Sequence, residues 1–386
     1  DALALVVTGS MGDLRVDAQP TLDLARSGWR WDGPIALRHP GAPRLAVSLV
    51  LPNAPDWLGD GSLSLVAQLA AGPGRVALND FTLTAGGLHA SGGLELRLDA
   101  PGGPALTGRV SADQLPLPAP ASGDPLPVGA LAGWQASVKL EAARVLAGPA
   151  VVLRKASGTV ALAGGTLRLE GLAAQLDGGA LALRASLDST ATPPLLALHG
   201  RLTGAELAGP LLDQPFDLTA GTLDASLTLA SQGFSPGALL AGATGALAVT
   251  VRGGALTGID LPALVTALSQ PAGPVVAGAP SEPAVRAALA GGSMGFDRLE
   301  VAASLAHGVV RLDQARLAAP SGNIAISGSV ALPGWGLDVR LALHPMLPAA
   351  VALPPTVGLR LTGKLDAPQR APELADLIRW RADSGP

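Results

Sequence analysis

Leu337-Asp338-Val339-Arg340-Leu341-Ala342-Leu343-His344 decides the fold. Leucine and valine hold every odd position, and Asp, Arg, Ala and His hold the even ones. Successive side chains of a strand point to opposite faces, so a period of two gives one apolar and one polar face. That is the pattern of a half-buried antiparallel strand.

The same alternation recurs outward from this stretch. Leu359 and Leu361 follow it, and Leu247, Val249, Val251, Ile324 and Ile326 precede it. Further upstream stand Leu167 and Leu169, Leu181 and Leu183, and Leu227 and Leu229. Gly86-Gly87, Gly164-Gly165, Asp177-Gly178 and Gly253-Gly254 punctuate the runs with hairpin turn chemistry. The expectation is an all-β fold. It is an elongated, curled, mostly antiparallel sheet shaped as a groove, with a few short helices. Asp260 is placed to cap a helix over 261–269, Ser281 a helix over 282–290, and Pro372 to open a terminal helix reaching Trp380. The Pro-rich stretch 115–127 reads as a loop or internal boundary. It divides the chain into an N-terminal β-meander, 1–127, and a C-terminal β-groove portion, 128–386, ending in the helix.

Composition sharpens the reading. Hydrophobic residues make up 48% of the 386 positions, and 50 glycines come on top. A typical domain reaches about 45–50% only with its glycines included. Charged residues are 15% and aromatics 3%, with no Tyr. The surplus apolar surface is therefore aliphatic. Mean hydropathy is +0.39, yet the uncharged runs 225–251 and 261–281 are broken by Gly and Pro, so neither reads as a spanning helix. An outer-membrane barrel needs aromatic girdles that this chain lacks. With net charge −4 and scattered cations, nucleic acid is not an expected partner. Cysteine is absent, which excludes disulfides and thiolate metal sites.

Catalytic signals are sparse. Gly291-Gly292-Ser293-Met294-Gly295 has the form of a nucleophile elbow. An elbow needs a strand before the serine and a helix after it, and the order expected here is the reverse. His39, His89, His199, His307 and His344 are too far apart in sequence for a local metal pair. Neither enzyme activity nor a cofactor is expected. Trp29 and Trp31 share a strand face, and Trp57 and Trp380 stand alone. Ordinary burial is the simpler reading for all four, and contact with a membrane interface is the alternative.

One stretch carries a family resemblance. Residues 245–262, from Gly245 through Leu247, Val249, Val251 and Gly258-Ile259-Asp260-Leu261, resemble an element of the AsmA family of Gram-negative envelope proteins. His307-Gly308-Val309-Val310, Ala319-Pro320-Ser321-Gly322 and Leu361-Thr362-Gly363-Lys364-Leu365-Asp366-Ala367-Pro368 resemble later turns and hairpins of that family. The likeness runs over 155–380, and residues 1–150 share only its style. It implies a periplasmic protein that shields phospholipid acyl chains in a groove between the inner and outer membranes. It also implies envelope protein partners and an inner-membrane anchor lying outside this chain. A structural scaffold within an envelope complex is the alternative.

The aliphatic faces then have two readings, a sandwich core or a groove wall. A wall of Leu and Val offers acyl chains a dry, non-directional surface worth about 0.8 kcal/mol per methylene. The candidate groove residues are Leu167, Leu169, Leu181, Leu183, Leu227, Leu229, Leu247, Val249, Val251, Ile324, Ile326, Val339, Leu341, Leu359 and Leu361.

Overall fold

The computed structural model describes residues 2–25, 28–42, 61–117, 122–147, 150–269, 281–332, 334–347 and 356–383. Trp57 and Pro271, Pro274 and Pro280 lie outside the described residues. The fold is all-β and mostly antiparallel, with a few short helices. The chain divides into two compact units, Asp1–Leu176 with Leu181–Leu196 and Asp177–Ala180 with Ala197–Pro386.

The first unit holds β1 (Ala2–Ala4), β2 (Val7–Met11), β3 (Leu14–Ala18), β4 (Thr21–Ala25), β5 (Gly28–His39) and β6 (Leu63–Gly72). It continues with β7 (Arg75–Ala85), β8 (Leu88–Arg97), β9 (Ala105–Leu117), β10 (Gln135–Ala147), β11 (Ala150–Ala163) and β12 (Thr166–Leu176). From β5 to β9 each strand pairs antiparallel with the next. β9 and β10 are parallel, paired from Ala105 with Gln135 to Leu117 with Ala147. Parallel neighbours need a return of a dozen or more residues. The Pro-rich stretch supplies it, ending in a 3-10 turn at Val128–Leu131. The sequence boundary at 127 thus falls inside a connection between two paired strands. Pairing returns to antiparallel from β10 through β12.

β13 (Gly179–Asp188) and β14 (Leu195–Leu207) lie at the division between units. The second unit is built on β15 (Leu218–Gln232), β16 (Thr244–Thr257), β17 (Ser293–Ala306), β18 (Val309–Ala319), β19 (Gly322–Ala331), β20 (Gly336–Pro345), β21 (Val357–Lys364) and β22 (Ala367–Glu373). These eight pair in sequence order, all antiparallel. Helix α1 (Pro236–Ala241) joins β15 to β16, and α2 (Leu261–Ser269) and α3 (Ser281–Ala290) stand between β16 and β17. Helix α4 (Ala375–Asp383) follows β22.

Asp260 caps α2 as its position suggests, its Oδ1 accepting the Ala263 N–H at 2.8 Å. The terminal helix differs from expectation. It starts at Ala375, because Pro372 and Glu373 are held in strand pairing against Leu359 and Gly358. The ladder leaves them no freedom to open a helix.

Candidate functional site

Reading the pairing straight across β15 to β21 gives four ladders on one face. The first is Leu223, Val251, Leu299, Leu317, Ile324, Leu343 and Val357. The second is Ala225, Val249, Val301, Ala315, Ile326, Leu341 and Leu359. The third is Leu227, Leu247, Ala303, Leu312, Gly328, Val339 and Leu361. The fourth is Leu229, Gly245, Leu305, Val310, Val330, Leu337 and Gly363. Every rung is aliphatic or glycine.

Burial fades from the first ladder to the fourth. All of the first but Leu223 are buried, whereas no rung of the fourth is. The cause is the α2–α3 helix pair. Leu261, Leu264 and Leu268 of α2 and Val285 and Leu289 of α3 share one buried cluster with Val251, Leu299, Leu317, Ile324, Leu343 and Val357. Leu374 and Leu377, around the start of α4, join it. One end of the face is therefore packed shut, and the other is half-exposed.

The residues Gly258-Ile259-Asp260-Leu261 form the joint that turns β16 into this plug. Ile259 and Leu261 are fully buried, and Asp260 caps the helix. The Gly258 carbonyl accepts a hydrogen bond at 2.7 Å from Nη1 of Arg370, 112 residues later. Arg370 stands opposite Leu361 on the edge strand and is the one charged residue that the pairing adds to the ladders. Nη1 also donates to the Leu289 carbonyl at 3.3 Å, near the end of α3, and the guanidinium lies 4.3 Å from the Phe216 ring centre. Burial lowers its pKa from the ordinary arginine value. Phe216 is positioned in turn by its neighbour Asp217, a buried carboxylate that accepts N–H groups of Leu211, Leu212 and Gln214. Arg370 thus clasps the edge strand to the plug.

The first unit has ladders without such a cover. One runs Leu3, Leu22, Trp31, Ala71, Val76, Leu96, Leu106, Ala136, Leu162 and Leu167 over ten strands. Beside it run Leu69, Leu78, Leu94, Gly108, Val138, Val160 and Leu169. In the second of these every Leu and Val is half-buried and none is fully buried. Among the described residues, the only fully buried rung of the first is Leu162.

The candidate residues fall into two sets. Leu167, Leu169, Leu181, Leu183, Leu227, Leu229, Leu247, Val249 and Ile326 are half-buried on the aliphatic faces. Val251, Ile324, Val339, Leu341, Leu359 and Leu361 lie in the packed core beneath or beside the helices. Sequence reasoning missed Leu305, Leu312, Val310 and Val330 in the second unit and Leu96, Leu106, Val138 and Val160 in the first, and it read Leu337 on the apolar face without placing it among the groove candidates. The period of two in 136–142 (Ala136, Val138, Leu140, Ala142) was signal enough for that strand.

The opposite face carries the charge. Arg252 pairs with Asp224, Arg360 with Asp338, and Arg340 with Glu373. The Gly204 N–H, followed by Arg252, holds the Asp224 carboxyl below the usual range, and Arg360 does the same for Asp338. The arginines of these pairs are exposed, and Asp224 is half-buried; together they keep this face in water. His39 is buried, its Nδ1 accepting the Gly41 N–H. At Gly291–Gly295 a helix precedes the serine and a strand follows it, the reverse of a nucleophile elbow. Among the described residues no three His, Asp or Glu side chains gather as a metal site, and no helix is long and apolar enough to cross a membrane.

No curated protein and no solved structure matches the chain. The family model described as "AsmA family" matches residues 107–315, more than half of the chain. The match begins earlier than the likeness read from the sequence and stops before the closing 361–368 motif. It takes in the parallel pair of β9 and β10 as well as the joint at Gly258–Leu261, and the chain belongs to the AsmA family.

Proposed function

We propose that the half-exposed aliphatic ladders bind the acyl chains of phospholipid, and that the protein serves in lipid transfer within the Gram-negative envelope. One observation carries this reading. In the first unit the ladder containing Val138 and Val160 is apolar at every rung but Gly108, yet none of its Leu or Val side chains is fully buried. Side chains of that kind normally form a core, and a contiguous aliphatic row left half-buried and uncovered is a candidate binding surface. Membership in a family associated with the bacterial envelope supports a periplasmic setting. An inner-membrane anchor beyond this chain and envelope protein partners belong to the same proposal.

Lipids are suited to such a face because it offers no directional groups. Acyl chains gain about 25 cal/mol for each Å² buried and slide without breaking hydrogen bonds. Head groups remain in water, where exposed ion pairs occupy the opposite face. The test is native mass spectrometry of gently purified protein, with uptake of a labelled phospholipid as the second readout. Co-purified phospholipid and saturable uptake are expected. An empty protein that takes up no labelled lipid refutes the reading. Tight capture of a protein chain over the same face, with no lipid, favours the scaffold instead.

A further inference from the structure

The fourth ladder of the second unit ends at a row of chain connections. These are the β15–β16 link containing α1, the β17–β18 turn at His307-Gly308, the β19–β20 link and the β21–β22 turn. Backbone hydrogen bonds stitch them side by side. Gly308 N donates to Ala243 O (3.4 Å), Leu332 N to Gly308 O (2.8 Å) and Leu365 N to Trp335 O (2.9 Å). The first three connections each expose large apolar side chains: Phe234 (54%) and Leu240 (43%), Val309 (41%), and Trp335 (56%). Residues 232–244 and 331–336 contain no charge, and His307 is the only titratable group of the 306–309 turn. Exposed Lys364 and Asp366, on the fourth connection, mark the end of the patch.

Trp335 adds a backbone observation. Its φ is +50°, a left-handed conformation that suits glycine or asparagine and is an outlier for a bulky residue. Its side chain is also more than half exposed, so burial within its own unit offsets the strain only in part. Directly inward lie Leu305, Val310, Val330 and Leu337, all half-buried, so no polar row separates the rim from the aliphatic face.

We infer that this rim docks on the interface of a phospholipid bilayer. Tryptophan and phenylalanine favour that interface, and an uncharged rim offers a protein partner little to pair with. The continuity of rim and ladder lets an acyl chain leave the bilayer without crossing a polar edge. The inference rests on the lipid-binding reading above, and two separate readouts keep the two apart.

The full chain and its Trp335→Gly/Phe234→Ser variant are compared by flotation with phosphatidylethanolamine–phosphatidylglycerol vesicles. Uptake of a labelled lysophospholipid supplied below its micelle concentration is measured in parallel. The variant is expected to lose about tenfold or more in vesicle partition, with lysophospholipid uptake unchanged. Its melting temperature should not fall through position 335, since glycine relieves the left-handed backbone. Tryptophan emission of the wild type should be quenched by brominated lipid, and less so in the variant. Equal vesicle partition of the two proteins overturns docking while leaving lipid uptake standing. Vesicle binding that needs the rim, without lysophospholipid uptake, supports docking and counts against the groove. A rim-dependent dimer in sedimentation, with no vesicle binding, also overturns docking.

Discussion

Val138→Glu separates a binding face from a core. Val138 stands between Gly108 and Val160 on the uncovered ladder and is half-buried. Neighbouring strands are about 4.8 Å apart, so an extended acyl chain lying along the ladder spends about four methylenes per strand. A carboxylate in that path strips about four methylenes of their apolar partner, a loss of about 3 kcal/mol or about a hundredfold in affinity. The free protein pays far less, because a half-exposed carboxylate reaches water; about 1 kcal/mol of stability is the expected cost. Leu343→Ala is the counterpart. Leu343 is fully buried beneath the plug, so its truncation should cost about 2–5 kcal/mol of stability while the folded fraction keeps its affinity. Labelled-lipid titration and urea unfolding of both variants decide the matter. If Val138→Glu unfolds the protein as severely as Leu343→Ala, or binds lipid as well as the wild type, the face is a core and the reasoning fails.

Other consequences are narrower. Arg370→Met keeps the length of the side chain but leaves the Gly258 and Leu289 carbonyls without their donor, which should cost about 2–3 kcal/mol in urea unfolding; Arg370→Lys should recover only part, since lysine lacks the planar fork. Asp260→Ala removes the cap of α2 and should cost about 1 kcal/mol, with hydrogen exchange rising first in that helix. Arg360→Ala should raise the depressed Asp338 carboxyl back toward the ordinary carboxylate range, as read by carboxyl NMR. Because its folded pKa lies below the unfolded one, the pair stabilises above that range and is lost as pH falls through the folded value. Melting curves of wild type and Arg360→Ala should therefore converge in acid and differ only above it.

The strands were legible because alternation is local. So was α2, whose cap and apolar run adjoin in sequence. Coverage was not legible. Val249 and Val251 look alike on one strand face, yet Val251 is fully buried and Val249 is not. The difference comes from Leu261, Leu264, Val285 and Leu289 folding back over one of them. Arg370 shows the same limit. Its partners are 112 and 81 residues away, and nothing around it sets it apart from the solvated arginines of other strands.

The ladders survive at β18 only because the alternation there is broken. Leu312 pairs with Gly328, and the next apolar rung, Ala315, pairs with Ile326. β18 thus spends three residues where its neighbour spends two, a bulge. With strict alternation, Leu312 and Val310 would turn to the charged face, since a one-residue slip inverts every side chain beyond it. Asp313, in the bulge, bonds Ser304 on the polar side. The same device recurs in β7, where Leu78 pairs with Leu94 and Phe81 with Gly92, and Asp80 takes a left-handed φ of +46°. β12 repeats it between Leu169 and Leu172, with Gly171 at +59°. Aligned on this step, Val76-x-Leu78-x-x-Phe81-x-Leu83, Leu167-x-Leu169-x-x-Leu172-x-Ala174 and Val310-x-Leu312-x-x-Ala315-x-Leu317 are one pattern in three places. A search for period two passes over it, because the third spacing reads as noise. That spacing marks a repeated unit, a bulged strand followed by a hairpin, and its recurrence in both compact units keeps the aliphatic rungs of each on a single face.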